Sequence, residues 1–294
     1  MLEAASMRTA ILTGAWLALA LALPAAAQQS NFAPQGKLSL VTPGASAWET
    51  VKGGRLRLVT TPAGPDGAAS AAIEIELEPG FKTYWRNPGA DGIPPQVGFL
   101  GSINVGEAKL TLPPPHVFRD ASVTVGYKDD VSFPIAVRTA DPTRSYRLVA
   151  SGTLGFCADV CVPVPFRLEA TPPQATAQSG LVAAGVQQML APSEGMKLDG
   201  ARYDPSTGRL EVEATVPDTD VLLELVVANP DDRILPPAAD AVHQKGDRAV
   251  FAFQLEEEQA PAEGEELDFT LIVARFGQDG RIGIEQTLAV ARVE

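Results

Sequence analysis

The sequence predicts an all-β protein with two β-sandwich domains that a short helical segment joins. Three observations support this prediction. Apolar and polar residues alternate through many short stretches, which is the pattern of half-buried strands. The 26 glycines and 25 prolines separate these stretches with turn sequences. No long apolar repeat with the 3.6-residue period of a helix occurs in residues 30–170.

Residues 1–27 have the pattern of an export signal. Arg8 supplies a positive charge, residues 10–23 form an apolar run, and small residues precede a predicted cleavage site after Ala27. The run is short for a membrane span, although an uncleaved anchor is the alternative interpretation. The signal resembles a bacterial one, so we expect the mature chain in the periplasm. No later apolar stretch is long enough to cross a membrane.

The first predicted domain covers residues 28–172 and consists of short strands. Alternation is clearest in residues 72–78, where Ile73 and Ile75 are predicted to face inward between outward-facing glutamates. Further strands are predicted at residues 37–40, 55–60, 97–99, 107–112, 123–127 and 131–137. Three prolines and His116 are predicted to form a rigid connector, in which His116 has a turn or packing role.

Residues 81–95 are predicted to form an ordered loop. Tyr84, Trp85 and Arg86 stand side by side, and Pro-Gly and Pro-Pro turn sequences follow within ten residues. This density of aromatic, cationic and turn-forming residues favours a functional loop. A core aromatic residue beside a surface arginine is the alternative interpretation.

Cys157 and Cys161 are the only cysteines, and alternating stretches flank them. Four residues of flat strand span about 13 Å, whereas a disulfide requires Cα atoms within roughly 7 Å. The pair is therefore predicted at the tip or rim of a hairpin. A disulfide that closes so small a loop adds only about 2 kcal/mol of stability. This favours a redox-active disulfide, and a structural clip in a secreted protein is the alternative.

A metal or cofactor site is not predicted. There is no second cysteine pair, and His116 and His243 are far apart in the sequence, which disfavours zinc. The chain also lacks a recognisable acid–base pair, nucleophilic triad, phosphate loop or haem motif. Its formal net charge of −13 argues against nucleic acid or anionic lipid as a partner.

The remainder of the chain is predicted to form a helical linker, residues 173–193, and a second β-sandwich domain, residues 194–294. Prolines bracket the linker, and its apolar residues have amphipathic spacing. Alternation then resumes, and strands are predicted at residues 197–203, 209–216, 221–228, 249–255, 267–274 and 282–292. The second domain contains no cysteine and no cluster of reactive side chains, so a supporting or partner-docking role is expected.

Three motifs occur together in the first domain: residues 84–89 with 92–95, residues 126–130 with 133–134, and Cys157 to Cys161 with the Val-Pro that follows. Together they resemble the periplasmic N-terminal region of the DsbD and ScsB family of protein-disulfide reductases. The linker and second β domain look like the ScsB-type arrangement. The resemblance implies an immunoglobulin-like fold and a cysteine pair that cycles between dithiol and disulfide. ScsB relatives are also associated with copper tolerance.

The resemblance also implies roles for particular residues. Cys161 would form the intermolecular disulfide and Cys157 would be its partner in the pair. An aromatic residue of the family's exchange loop caps the disulfide, and Tyr84 and Trp85 are the candidates here.

Charged residues and a second motif complete the predicted site. Asp159 would raise a thiol pKa, and Arg86 or Lys128 would offset it. Tyr127 belongs to the same supporting motif as Lys128.

The implied function is a component of a protein-disulfide reductase that passes electrons to periplasmic thioredoxin-like oxidoreductases or isomerases. The printed sequence contains neither the membrane helices nor the thioredoxin-like domain of the best-known relatives. A separate membrane reductase is therefore expected as the electron donor. The alternative is a non-catalytic periplasmic binding or assembly module with a structural disulfide.

Overall fold

The computed structural model describes residues 44–173, 195–216, 221–230, 233–275 and 281–293. The predicted export signal and the predicted strand at 37–40 lie outside the described residues. So does the predicted helical linker, apart from its first residue. The described residues form eighteen strands and one short 3-10 helix. The predicted all-β fold class is confirmed.

The N-terminal half, residues 44–173, contains eleven strands. They are β1 (Glu49–Val51), β2 (Gly54–Thr60), β3 (Ala68–Leu77), β4 (Thr83–Tyr84), β5 (Gln96–Gly98), β6 (Val105–Leu110), β7 (His116–Arg119), β8 (Val123–Tyr127), β9 (Val131–Thr139), β10 (Leu148–Cys157) and β11 (Cys161–Ala170). A five-stranded sheet has the order β1-β2-β3-β9-β6, and two three-stranded sheets have the orders β11-β10-β5 and β4-β8-β7.

One hydrophobic core lies between these three sheets. The alternation of β3 aims Ile73 and Ile75 into the core, as predicted, and the glutamates that follow each of them pair with arginines of β2. Each sheet contributes buried side chains to the same cluster, among them Leu56, Phe133, Leu154, Phe156, Phe166 and Val125. The long hairpin of β10 and β11 is thereby fixed to the rest of the half by apolar burial.

The C-terminal half, residues 195–293, contains seven strands and the 3-10 helix Glu257–Gln259. The strands are β12 (Lys197–Asp204), β13 (Arg209–Thr215), β14 (Val221–Val227), β15 (Ala241–Lys245), β16 (Arg248–Gln254), β17 (Glu266–Arg275) and β18 (Arg281–Arg292). They form one sheet in the order β14-β17-β18-β12-β13-β16-β15. Phe253 and Phe269 lie on strands that are not neighbours, yet their ring centroids are 6.1 Å apart. The sheet therefore curves around its own core.

Most of the predicted strands agree with the structure to within a few residues. The sequence pattern gives no indication of β1, β4, β7 and β15, which contain two to five residues each. Such segments are too short to show an alternation, and pairing with a neighbour defines them. His116 is one example: it pairs with Gly126 and begins β7, so the predicted connector ends one residue earlier.

The two halves pack directly against each other. Val226, Ala238 and Ile272 of the C-terminal half belong to the same hydrophobic cluster as the core of the N-terminal half. Polar contacts lie beside this apolar contact. Arg281 donates a hydrogen bond to the carbonyl of Pro115 at 3.0 Å and pairs with Glu224 at 2.7 Å.

Candidate functional site

The two cysteines form a disulfide across the end of the β10–β11 hairpin. Cys157 is the last residue of β10 and Cys161 is the first residue of β11, and the two are register partners. Their sulfurs are 2.04 Å apart and their Cα atoms 4.1 Å apart. The predicted position at the hairpin tip is confirmed. The three residues between them, 158–160, are exposed.

The two sulfur-bearing residues have different environments. Cys157 is only 2% exposed, and its backbone forms two hydrogen bonds with Lys82, of 2.8 and 3.0 Å. Cys161 is partly exposed. Cys161 is therefore the cysteine more open to solvent, whereas Cys157 is held inside the fold.

Two groups lie against the Cys161 sulfur. The Tyr84 hydroxyl is 3.6 Å from Sγ, and the carbonyl oxygen of Asp91 is 3.0 Å from it. Burial, with a smaller contribution from the charge of Asp91, raises the pKa of Tyr84 above its ordinary value. The phenol therefore keeps its proton at neutral pH and can donate a hydrogen bond to a sulfur anion.

The 88–95 loop covers this side of the hairpin. Gly92 lies so close to Tyr84 that a Cβ on Gly92 would stand 2.9 Å from the ring. Ile93 lies against Gly155 of β10, where a Cβ on Gly155 would stand 2.7 Å from the Ile93 Cβ and 2.8 Å from its carbonyl oxygen. The loop thus rests on the hairpin where Gly155 leaves room for it.

Replacing Gly155 by alanine should lift this loop. Real Cβ atoms do not approach other heavy atoms so closely, and the atoms in the way belong to the backbone and Cβ of Ile93 rather than to a flexible chain end. We expect a loss of about 1–3 kcal/mol in unfolding free energy and faster reduction of the disulfide by dithiothreitol. Gly98→Ala is the matched control, because its Cβ would meet nothing nearer than 3.9 Å. Equal reduction rates in the two variants would contradict the close packing of the loop.

The other predicted site residues lie on different sides of this loop. Trp85 is buried in the core and only 1% exposed. Arg86 lies over the Trp85 ring, 4.5 Å from its centroid, and pairs with Glu285 of the C-terminal half. Of the two predicted capping aromatics, Tyr84 is the one that the structure places at the sulfur.

Tyr127 and Lys128 lie at the end of β8. The Tyr127 hydroxyl donates a hydrogen bond to the Pro113 carbonyl at 2.7 Å, and burial raises its pKa well above the ordinary value. Lys128 is exposed, and its charge helps to lower the pKa of His116. Arg86 thus pairs with Glu285, and the charge of Lys128 acts on His116.

His116 is a partly buried neutral imidazole. Burial, followed by the charges of Arg281 and Lys128, lowers its pKa from 6.5 to about 4. Its ring stacks on Phe118 with centroids 6.0 Å apart, which fits the predicted packing role.

His116 should make the fold acid-sensitive. Between pH 6.5 and about 4 the unfolded chain binds a proton at His116 that the folded chain does not, so stability falls as the pH drops through this window. We expect His116→Gln to lose less stability than the wild type between neutral pH and about pH 5, measured by urea unfolding. His243→Gln, at an exposed position on β15, is the control. An unchanged pH dependence in His116→Gln would contradict this assignment.

Four residues to which the sequence analysis gave no individual role complete the site: Lys82, Asp91, Ile93 and Gly155. Lys82 forms an isolated β-bridge with Cys157 through backbone atoms, and its ammonium group pairs with Asp120 at 3.0 Å. Asp91 and Ile93 act through a carbonyl and a packing contact. A residue that acts through its backbone can be of almost any type, so the sequence does not reveal it. Among the four, only Gly155 could have been noticed in the sequence, because a glycine two residues before Cys157 indicates that another segment approaches closely.

The described residues contain no group of three or more His, Cys, Asp or Glu side chains arranged to hold a metal ion. Within the described part of the chain, no helix has the length and apolar character needed to cross a membrane.

Fold and site together define a class of protein. It is a β-sandwich protein of immunoglobulin-like type, in which a disulfide closes the end of a hairpin and the 88–95 loop covers that disulfide on one side. The family comparison is more specific. Residues 57–173 match the family model for the N-terminal region of the thiol:disulfide interchange protein DsbD. This match identifies them as a region of the DsbD/ScsB N-terminal type, which the sequence motifs predicted, and it supports a thiol:disulfide interchange module.

A solved structure agrees with the fold. The N-terminal periplasmic domain of ScsB from Proteus mirabilis superposes with a TM-score of 0.63 at 22% identity, covering 84% of this chain and 99% of that one. The Enterococcus faecalis MSCRAMM ACE gives a TM-score of only 0.16 at 8% identity, covering 84% of this chain and 95% of that one. No curated protein sequence matches the chain.

Proposed function

We propose that the chain is a periplasmic thiol–disulfide exchange module that passes electrons between a reductase and thioredoxin-like oxidoreductases or isomerases. One observation carries the proposal. Within the region of DsbD type, a disulfide closes the end of a hairpin, where Cys161 is partly exposed and Cys157 is buried. Exchange requires one sulfur that a partner can reach, while the other sulfur acts as leaving group.

The exchange proceeds in two steps. A thiolate of a reduced partner attacks Cys161 Sγ and forms a mixed disulfide, while the S–S bond breaks and Cys157 leaves as a thiolate that takes up a proton. The partner's second cysteine, as a thiolate, then attacks the sulfur of the partner's first cysteine in the mixed disulfide. Cys161 is released as a thiolate, which also takes up a proton. The partner becomes a disulfide and this chain a dithiol, a transfer of two electrons and two protons. The reverse sequence reduces a downstream partner.

The surroundings of Cys161 support this role. In the dithiol form, a hydrogen bond from the Tyr84 hydroxyl would stabilise the Cys161 thiolate. The Asp91 carbonyl, 3.0 Å from the sulfur, would accept a hydrogen bond from the protonated thiol. Cys161 attacks and leaves as a thiolate, so the Tyr84 contact favours exchange, whereas the Asp91 contact favours the resting thiol.

The same match supports a proposed location and proposed partners. Residues 1–27 would direct export, with cleavage after Ala27, and the chain would act in the periplasm. We assign residues 28–172 to the exchange domain and residues 194–294 to a second domain that supports it. The electron donor would be a separate membrane reductase. A role in copper tolerance would follow if thioredoxin-like acceptors repair proteins that copper oxidises.

The reduction potential of the pair tests the proposal. We expect equilibration of the full mature chain with glutathione or dithiothreitol to give a value within roughly −120 to −270 mV, the range of exchange proteins. The bond should open without unfolding of the protein, as circular dichroism would show. A value below about −300 mV would identify a structural bond and leave the chain as a binding or assembly module.

A further inference from the structure

The segment that reaches the disulfide is anchored in the C-terminal half. Tyr84 contacts Cys161, and Asn87 lies only three positions later. The Asn87 side-chain amide donates hydrogen bonds to the carbonyls of Val227 and Leu235, at 2.9 and 3.3 Å. Val227 ends β14 and Leu235 lies in the connection that follows it, so both carbonyls belong to the C-terminal half.

Asn87 is an unusual residue for such a position. It is 0% exposed, and among the described residues every other buried polar side chain is a threonine. A buried amide is costly unless it is hydrogen-bonded, and an apolar side chain would fill the space without that requirement. The Asn87 amide therefore fixes the backbone at residue 87 relative to the carbonyls of Val227 and Leu235.

Neighbouring contacts reinforce the anchor on both sides. Before Asn87, Arg86 pairs with Glu285 on β18. After it, the Pro88 carbonyl accepts a hydrogen bond from Val125 at 3.2 Å. Gly89 has a φ of +84° in the left-handed region, and a Cβ there would stand 2.3 Å from the Val123 carbonyl and 3.3 Å from Pro237 of the C-terminal half. The 88–95 loop starts from this fixed point, and its Asp91 carbonyl lies 3.0 Å from the Cys161 sulfur.

We infer that the C-terminal half positions the 88–95 loop over Cys161 through Asn87 and the Arg86–Glu285 pair, and so sets how readily the disulfide exchanges. Asn87 and Glu285 are positioning residues, since neither contacts sulfur. The inference rests on the proposed function, which it deepens by giving the second half a role at the redox site. Release of either contact frees the start of the loop, withdraws the Asp91 carbonyl from the sulfur and opens Cys161 to attack.

The test uses the full mature chain and its rate of reduction by dithiothreitol under native conditions. Asn87→Ala removes the buried anchor, and Glu285→Arg places a cation against Arg86 at a half-exposed site that tolerates substitution. We expect both to accelerate reduction by about twofold to thirtyfold, the range of measured coupling energies between linked sites. Glu213→Arg is the matched control, because its partner Arg202 lies within the C-terminal half. It should leave the rate unchanged.

Two further measurements separate positioning from a general loss of stability. The exchanged pair, Arg86→Glu with Glu285→Arg, should return the rate toward the wild-type value. In the reduced protein, the pH profile of Cys161 alkylation should shift in Asn87→Ala and remain unchanged in Glu213→Arg. If Asn87→Ala fails to fold, Glu285→Arg and its exchanged pair decide the result.

Several outcomes would overturn the inference. Unchanged reduction rates in Asn87→Ala and Glu285→Arg would do so. So would a reduction of Glu213→Arg that is accelerated by the same factor and in proportion to its loss of melting temperature, because a general loss of stability would then explain every rate. One outcome separates the two proposals. If the wild-type disulfide resists reduction and the Asn87→Ala disulfide is reduced, the positioning role is supported and the proposed function is contradicted. Resistance in every variant would overturn both.

Discussion

Cys157→Ser is expected to trap a stable mixed disulfide through Cys161. With Cys157 replaced, no neighbouring thiol can resolve the bond that an incoming partner forms with the accessible sulfur. We therefore supply a thioredoxin-like protein that lacks its resolving cysteine as the mixed disulfide of its remaining cysteine with thionitrobenzoate. The Cys161 thiolate of the variant should attack that cysteine's sulfur, thionitrobenzoate should leave as a thiolate, and the covalent adduct should accumulate, which mass spectrometry would detect.

Cys161→Ser is the matched control for this experiment. Its remaining thiol, Cys157, is 2% exposed and tied by its backbone to Lys82. We expect it to form the adduct at least about tenfold more slowly, because the rate of exchange depends on access to the sulfur. Both variants lose the disulfide, and urea unfolding of each variant separates a difference in stability from a difference in trapping. Faster trapping by Cys161→Ser would reverse the assigned roles.

Trp85→Ala is expected to cause the largest loss of stability among the substitutions considered. The indole is 1% exposed within the main core of the N-terminal half, and removal of a fully buried aromatic side chain typically costs about 3–5 kcal/mol. Its loss also leaves the Arg86 guanidinium without the ring beneath it. Urea unfolding would measure the change as a lower midpoint.

Trp48→Ala provides the comparison for Trp85. This tryptophan is partly exposed, and the guanidinium groups of Arg55 and Arg57 lie over its ring at 4.5 and 4.4 Å. Its replacement should cost about 1–2 kcal/mol, the sum expected for two cation–π contacts near the surface. A loss in Trp48→Ala as large as that in Trp85→Ala would show that burial does not distinguish the two residues.

The core and the hairpin could be predicted from the sequence because their signals are local. Ile73 and Ile75 alternate with glutamates, and that alternation is enough to assign the buried face of β3. The position of the two cysteines at a hairpin tip followed from chain geometry, since a four-residue separation permits a disulfide only where the chain bends. The motifs around the cysteines likewise predicted the DsbD-type region.

The assignment of particular residues around the disulfide was not predictable in the same way. Tyr84, Trp85 and Arg86 are consecutive, yet their side chains have different surroundings. Tyr84 contacts the Cys161 sulfur, Trp85 is buried in the core, and Arg86 forms an ion pair with Glu285. Consecutive residues of an extended segment point in different directions, and the sequence does not say what lies on each side.

The sequence by itself thus determined the all-β class, the hairpin and the paired cysteines, because periodicity and spacing act within a few residues of chain. The tertiary structure alone decided which cysteine is accessible, which aromatic residue lies against it and that the C-terminal half meets the loop at Asn87. These features join residues up to 148 positions apart, through burial and hydrogen bonds to backbone carbonyls. Every residue carries such a carbonyl, so residue type cannot reveal which one is used.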